Sequence, residues 1–190
     1  MTERDQTVAQ ILEIELEMFL AVNGEDNSSC QEHPDAFKLH RRAQFAAWSL
    51  PTLRSYLDDL RRAQRSHENL MTLKYARMEG IIPPLNPAAQ PIIDKIVEQE
   101  CLWAEDFSRS NPGARLARPV YARDESPGVV SSETYSRAEL ETYSARTLEH
   151  YYSDVIGMSS RGENRIECAV RYMRELALRR NRSGPDRSCS

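Results

Sequence analysis

Glu15 sits where helical spacing calls for a leucine. In the stretch Val8 to Val22, the residues Val8, Ile11, Leu12, Phe19 and Val22 share one helical face. At about 3.6 residues per turn, Glu15 falls near the middle of that face, between Ile11, Leu12, Met18 and Phe19. Glu13 and Glu17 point the other way. An unpaired buried carboxylate costs several kcal/mol, so Glu15 must be paired, protonated or engaged in chemistry.

Three further predicted helices repeat the anomaly. Phe37, His40, Gln44, Ala47 and Trp48 share a face of the second. Lys74 lies among Leu70, Met71 and Met78 in the fourth. Leu140, Tyr143, Thr147, Leu148 and Tyr151 share a side of the sixth with Glu133, Ser136 and Ser144. Each has a plain structural explanation. A histidine or glutamine on an apolar face is more often a satisfied core hydrogen-bonder than a ligand. A lysine can lay its stem on apolar surface and keep its ammonium in water. Glu133, in a first turn, complements the helix dipole. A salt bridge between Glu15 and Lys74 would account for two oddities at once. A cavity that binds a small polar molecule would account for several. In that case Lys74 or Arg77 holds an anionic group. Glu15 or Glu133 is the proton-transfer candidate, because apolar surroundings favour a protonated carboxyl. His40, Gln44 and Tyr143 then supply ligand contacts.

Other chemistry fits less well. A di-iron carboxylate site needs Glu-x-x-His on each of two helices. The residues three before His33, His40, His67 and His150 are Cys30, Phe37, Gln64 and Thr147, none of them glutamate. Cys30-Gln-Glu-His33 has a metal-like spacing without a second pair, so no metal site is expected. Cys30 is better read as a nucleophile candidate, ahead of a helix N-terminus and close to His33, with a plain loop cysteine as the alternative. No Gly-x-Gly-x-x-Gly, phosphate-binding loop or Gly-x-Ser-x-Gly occurs.

These residues need helices to carry them, and the pattern is helical almost throughout. Helices are predicted from about Asp5 to Val22, Pro34 to Trp48, Pro51 to Arg65, His67 to Glu79, Pro87 or Pro91 to Phe107, and Ser132 to Ile156, with a seventh after Ser160. Asn23-Gly24, Gly80 and Gly157 mark stops. Ser66 reads as a cap, and Ser160 with Glu163 as a capping box. Between them, Ser110 to Val130 is roughly twenty residues without periodicity, which makes it functional or disordered. Its Arg115, Arg118 and Arg123, with Pro119 as a stiff point, suit a flap over an anionic ligand. Residues 182–190 form a Gly/Pro/Ser-bearing tail.

The 190 residues suit one domain, and the formal net charge of -4 argues against a dedicated nucleic-acid binder. No stretch is apolar enough to span a membrane, and the polar, acidic start lacks the pattern of a signal peptide. Four widely spaced cysteines without Cys-x-x-Cys suit free thiols in a cytoplasmic protein.

Five segments carry a resemblance. They are Ile14-Glu-Leu-Glu-Met-Phe19, the Ser29-Cys-Gln31 loop, Trp48 followed by Ser55-Tyr-Leu-Asp-Asp59, Asn69-Leu-Met-Thr-Leu-Lys-Tyr-Ala-Arg-Met78, and Glu133-Thr-Tyr-Ser-Arg-Ala-Glu-Leu-Glu-Thr-Tyr-Ser144. Together they resemble a bacterial family known as domain of unknown function 4125. The resemblance spans most of the chain. It implies a small bacterial protein and brings no activity, cofactor or catalytic residue with it.

The sequence therefore predicts an all-α, single-domain irregular bundle of about seven helices over residues 1–181. The leading functional expectation is a cytoplasmic enzyme or binding protein for a small polar or anionic metabolite, sited between the first, second, fourth and sixth helices. The alternative is a helical interaction or regulatory protein whose buried polar groups fix helix register.

Overall fold

Five helices begin on a side chain that takes the place of the missing backbone acceptor. Thr2, Ser49, Asn69, Ser131 and Ser144 each accept from the N–H three residues on, at 3.0–3.4 Å. Thr2 and Asp5 complete a capping box. In the computed structural model, which describes residues 1–22, 33–114 and 116–182 with side chains as far as 178, these caps punctuate eight α-helices. They are α1 (Glu3–Leu20), α2 (Pro34–Phe45), α3 (Leu50–Arg65), α4 (Leu70–Met78), α5 (Gln90–Ser110), α6 (Ser132–Leu140), α7 (Ala145–Ser160) and α8 (Arg165–Arg182). Short 3₁₀ turns cover Pro87–Ala89 and Ala122–Asp124, and no strand occurs among the described residues. Cys30, Arg115, the Asn23-Gly24 stop and the tail beyond 182 lie outside the described residues.

The helices pack as two groups of four. α1 packs on α2, α3 and α4, while α5 packs on α6, α7 and α8. Contacts of α3 with α7, α2 with α8 and α4 with α6 join the groups into one all-α bundle. Ile11, Leu12, Leu53, Leu60, Ile93, Ile96, Leu148 and Val155 are fully buried in a shared core. No helix among the described residues is long and apolar enough to cross a membrane.

Four boundaries differ from the sequence reading. The long helix predicted from Ser132 is two, because Ser144 caps a new start and Asp59 of α3 holds it there. α4 begins at Leu70, since His67 takes a left-handed φ of 57° and Asn69 is the cap. The Ser160/Glu163 box does not form. Ser160 turns back to the Gly157 carbonyl, Glu163 pairs with Arg161, and Asn164 accepts from the Ile166 N–H. Gly157 does not break α7, as a single helical glycine costs only about 1 kcal/mol. Gly80, with φ 72°, does end α4 as expected, in the left-handed conformation that glycine adopts without a Cβ clash.

The segment between α5 and α6 is laid against the start of α6. The Pro119 and Val120 carbonyls accept from the N–H groups of Ser132 and Glu133 at 2.8 and 3.0 Å. Glu125 accepts from both the backbone and the hydroxyl of Ser131, at 2.9 and 2.6 Å.

Asp59 ties the two groups together. Its Oδ2 accepts from the Ser144 N–H, the Ser144 hydroxyl and the Thr147 hydroxyl at 3.0, 3.0 and 2.6 Å, while the residue is only 4% exposed. Asp59→Ala leaves those donors unmatched in the interior and should cost about 3 kcal/mol in urea unfolding. Asp59→Asn keeps one acceptor and should cost less; equal losses would show that the carboxylate is not the tie.

Candidate functional site

Glu15 is completely buried, and its partner is Arg41 rather than Lys74. Arg41 reaches from α2 and donates from Nε and Nη2 to the two carboxylate oxygens, at 2.9 and 2.5 Å. This is the planar two-point pairing that guanidinium geometry favours. The Tyr56 hydroxyl of α3 donates to the same carboxylate at 2.7 Å. Arg41 Nη1 turns the other way. It lies 2.9 Å from Glu139 Oε1 on α6 and donates to Gln44 Oε1 at 2.5 Å. Glu139 also accepts from Lys74 of α4 at 2.7 Å and from the Tyr143 hydroxyl at 2.8 Å. Lys74 further rests 3.6 Å from the centre of the Tyr135 ring. Two carboxylates and two cations thus alternate through the seam between the helix groups.

The electrostatics follow from this order. Burial pushes the Glu139 carboxyl upward, but Arg41 and Lys74 override it and hold the group well below the usual carboxylate range. Burial works against the Lys74 ammonium, and Glu139 outweighs it, so its pKa is raised. Burial raises the Tyr56 and Tyr143 phenols well above their ordinary value, and neighbouring carboxylates add to this. The phenols therefore remain donors. Glu139 is a fixed charge, not a group that exchanges protons near neutrality.

Beside this network lies a cavity of about 410 Å³, within the range of small-ligand sites. One face of α6 projects Ser132, Tyr135, Ser136 and Glu139 into its wall. α2 supplies His40 and Gln44, and Trp48 follows just beyond that helix. Residues 116–118 close another side, with the Arg118 guanidinium 4.6 Å from the centre of the Tyr135 ring. The far wall holds a second ionic cluster. Glu100 of α5 accepts from the Tyr151 hydroxyl on one oxygen and from Ser136 on the other, and Arg165 Nη2 lies 3.1 Å from the first. Cys101 also lines the cavity; burial, with nearby carboxylates, pushes its thiol up to about 11, so it stays protonated.

The structure divides the candidates read from sequence. His40, Gln44 and Tyr143 line the cavity. Glu15 and Lys74 stand behind its wall and do not line it. Arg77 lies elsewhere, clamped on Glu141 at 2.7 Å. Glu133 is a loop anchor, accepting from the Ala122 N–H at 2.9 Å, and neither meets the other catalytic candidates nor lines the cavity. Of the three arginines expected in a flap, Arg118 lines the cavity, whereas Arg123 lies over Tyr121 and is exposed. Among the described residues no three His, Cys, Asp or Glu side chains gather as a metal-holding group.

Arg41, Glu100, Glu139 and Arg165 were missed. Two of them carried the signal that singled out Glu15. Glu100 falls on the stripe of Ile93, Val97, Ala104 and Phe107, and Arg41 on that of Phe37, Phe45 and Trp48.

A family described as Protein of unknown function (DUF4125) has a sequence model that matches residues 5–177. The chain belongs to this family. No curated protein and no solved structure matches the chain. Family membership supports the resemblance drawn from the sequence blocks, and the chemistry must be argued from the site itself.

Two measurements test the network. Arg41→Met leaves Glu15 buried without its cation and should cost about 3–5 kcal/mol, and adding Glu15→Leu should recover part of that loss. Lys74→Met with Glu15→Leu should show weaker coupling than Arg41 with Glu15, since Lys74 answers Glu139. The second test is acid titration. A carboxyl held below its ordinary value of 4.5 contributes stability that is complete above that pH and lost as pH falls beneath it. The stability gap between wild type and Glu139→Gln should therefore narrow below pH 4.5. A gap constant down to acid unfolding would contradict the assignment.

Proposed function

We propose that this protein binds a small polar metabolite in the cavity bounded by α2, α5, α6, α7, α8 and residues 116–118, as a binding protein or as an enzyme that orients such a molecule. The observation that carries this reading is the composition of the cavity lining. Trp48, Tyr135, Tyr143 and Tyr151 give it aromatic surface, while Gln44, Ser136, Glu100, Glu139, Arg118 and Arg165 converge on the same space. A few placed polar groups on an apolar enclosure are the ordinary make-up of a ligand site. His40, exposed at the rim, is the candidate to meet a ligand as it enters. The surroundings suit holding and orienting more than proton transfer, because Glu139 is kept ionised and the phenols of Tyr143 and Tyr151 are kept protonated.

A second reading has one observation behind it. Glu15 and Lys74 are satisfied by protein partners, as expected of a scaffold in which polar groups fix helix register. That accounts for the first network and leaves the cavity unexplained. The exposed large apolar residues, such as Leu20, Ile81, Leu102 and Ile156, fall on four different parts of the chain. A cytoplasmic setting belongs to the same proposal, supported by the free thiols of Cys101 and Cys168.

The test is a thermal-shift screen of the dialysed protein against polar metabolites. A compound present at about 100 times its Kd should stabilise by roughly 2.7 kcal/mol, which is readily seen as a raised Tm. The shift should shrink in Gln44→Leu and in His40→Ala; the unliganded Tm should stay near wild type in His40→Ala and fall in Gln44→Leu, which removes an acceptor from Arg41. Hits that are indifferent to both substitutions would place binding outside this cavity.

A further inference from the structure

Two donors in this cavity have no acceptor. The Trp48 indole Nε1 and the Arg165 guanidinium Nε are buried and make no hydrogen bond. Both residues line the cavity, and Trp48 is only 5% exposed. Buried N–H groups are nearly always partnered, so such a pair in one cavity points to an acceptor that comes from outside the chain.

The two residues are connected through Tyr151 and Glu100. The Trp48 ring is 4.9 Å from the Tyr151 ring, centre to centre. Tyr151 donates to Glu100 Oε1, and Arg165 Nη2 lies 3.1 Å from that oxygen. One tyrosine side chain and one carboxylate oxygen therefore link them. Arg165 approaches Glu100 through Nη2 alone, at Oε1, while Oε2 accepts from Ser136. The Glu139 carboxylate and the Gln44 amide oxygen are also engaged. Glu139 takes Arg41, Lys74 and Tyr143, and Gln44 Oε1 takes Arg41.

Charge points the same way. The cavity wall and the network behind it hold three carboxylates, Glu15, Glu100 and Glu139, against four cations, Arg41, Lys74, Arg118 and Arg165. One positive charge is in excess, which suits a single negative charge and not the two of a phosphate monoester. Trp48, Tyr135, Tyr143 and Tyr151 offer flat apolar surface to the rest of the molecule.

Resting on the reading of this cavity as a small-molecule site, we propose that its ligand is a ring-bearing monocarboxylate, its carboxylate held by the Trp48 indole N–H and the Arg165 Nε–H. Arginine at position 165 is then specific. A lysine would keep the charge and lose the donor that faces the ligand.

Benzoate is a suitable probe. The chain has two tryptophans, Trp48 and Trp103, so a ¹⁵N-labelled sample gives two indole N–H resonances, assigned with Trp48→Phe or, should that variant not fold, Trp103→Phe. Benzoate should move the Trp48 resonance along a saturable curve and leave Trp103 in place. Phenyl phosphate should bind more weakly, and benzyl alcohol and benzylamine should leave Trp48 unmoved. Arg165→Lys should weaken benzoate by about tenfold or more, the loss of one charge-assisted hydrogen bond. Should Arg165→Lys not fold, the wild-type titration decides alone. Benzoate that leaves Trp48 unmoved, or benzyl alcohol or benzylamine that moves it as far, overturns the proposal. If neutral or cationic metabolites then shift the resonances of cavity residues such as Val97 and Leu140, the cavity remains a ligand site and only the carboxylate assignment falls. If no compound of either set does so, both readings fall.

Discussion

Arg41 is the group on which the interior depends. One guanidinium answers Glu15 on α1 and Glu139 on α6, and so joins the group of α1 to α4 to the group of α5 to α8. Burying any of these charges alone would cost several kcal/mol, and none is tolerable without the others. Lys74 supplies the second positive charge, so the set of four is neutral. Tyr56, Tyr143 and Gln44 occupy hydrogen-bonding positions that the ions leave over. Lysine could not take the place of Arg41, because a single ammonium cannot present a flat two-point edge to one carboxylate and a third N–H to another. The arrangement also fixes register. Sliding α2 by one turn would carry Arg41 about 5.4 Å along the axis and strand both carboxylates.

A bundle held this way cannot close its core with apolar side chains alone. α6 ends at Leu140, and the chain restarts at Ser144 under the hold of Asp59. The short helix presents Ser132, Tyr135, Ser136 and Glu139 along one edge, where a longer amphipathic helix would present aliphatic residues. Tyr143, between α6 and α7, and Tyr151 of α7 fill part of the space, with hydroxyls turned to Glu139 and Glu100. What they do not fill is the cavity. Its polar lining follows from the same seam that holds the first network, so scaffold and site are neighbours by construction.

Much of this was legible in the sequence, and the reasons for success and failure are specific. The all-α class followed from helical periodicity and from stops such as Gly80, whereas the caps read at Ser66 and Ser160 gave way to Asn69 and Asn164. Glu15 was legible because α1 is long and its stripe unambiguous. Its partner was not, since periodicity places a residue on a face and says nothing of which face it meets. Arg41 was passed over because the second helix was read along His40, Gln44 and Ala47, one residue off the stripe that Phe37, Arg41 and Phe45 define. Glu139 was missed beside Glu133, since both lie on one short helix and periodicity does not settle which of its faces meets another helix. The orphaned N–H groups of Trp48 and Arg165 have no sequence signature. Lack of a partner is a property of the packed whole.

The two ionic clusters differ in a way that separates structure from site. Around Glu15 and Glu139 the carboxylate oxygens and the cations answer one another, and Lys74 lies against an aromatic ring. Such a network needs nothing from outside and has little to offer a ligand. Around Glu100 the match is incomplete, because Arg165 meets one oxygen through Nη2 and its Nε has no partner. The strongest anomaly in the sequence therefore marks the scaffold. The functional chemistry lies one cluster away, where the charges balance less well and a donor remains to be answered.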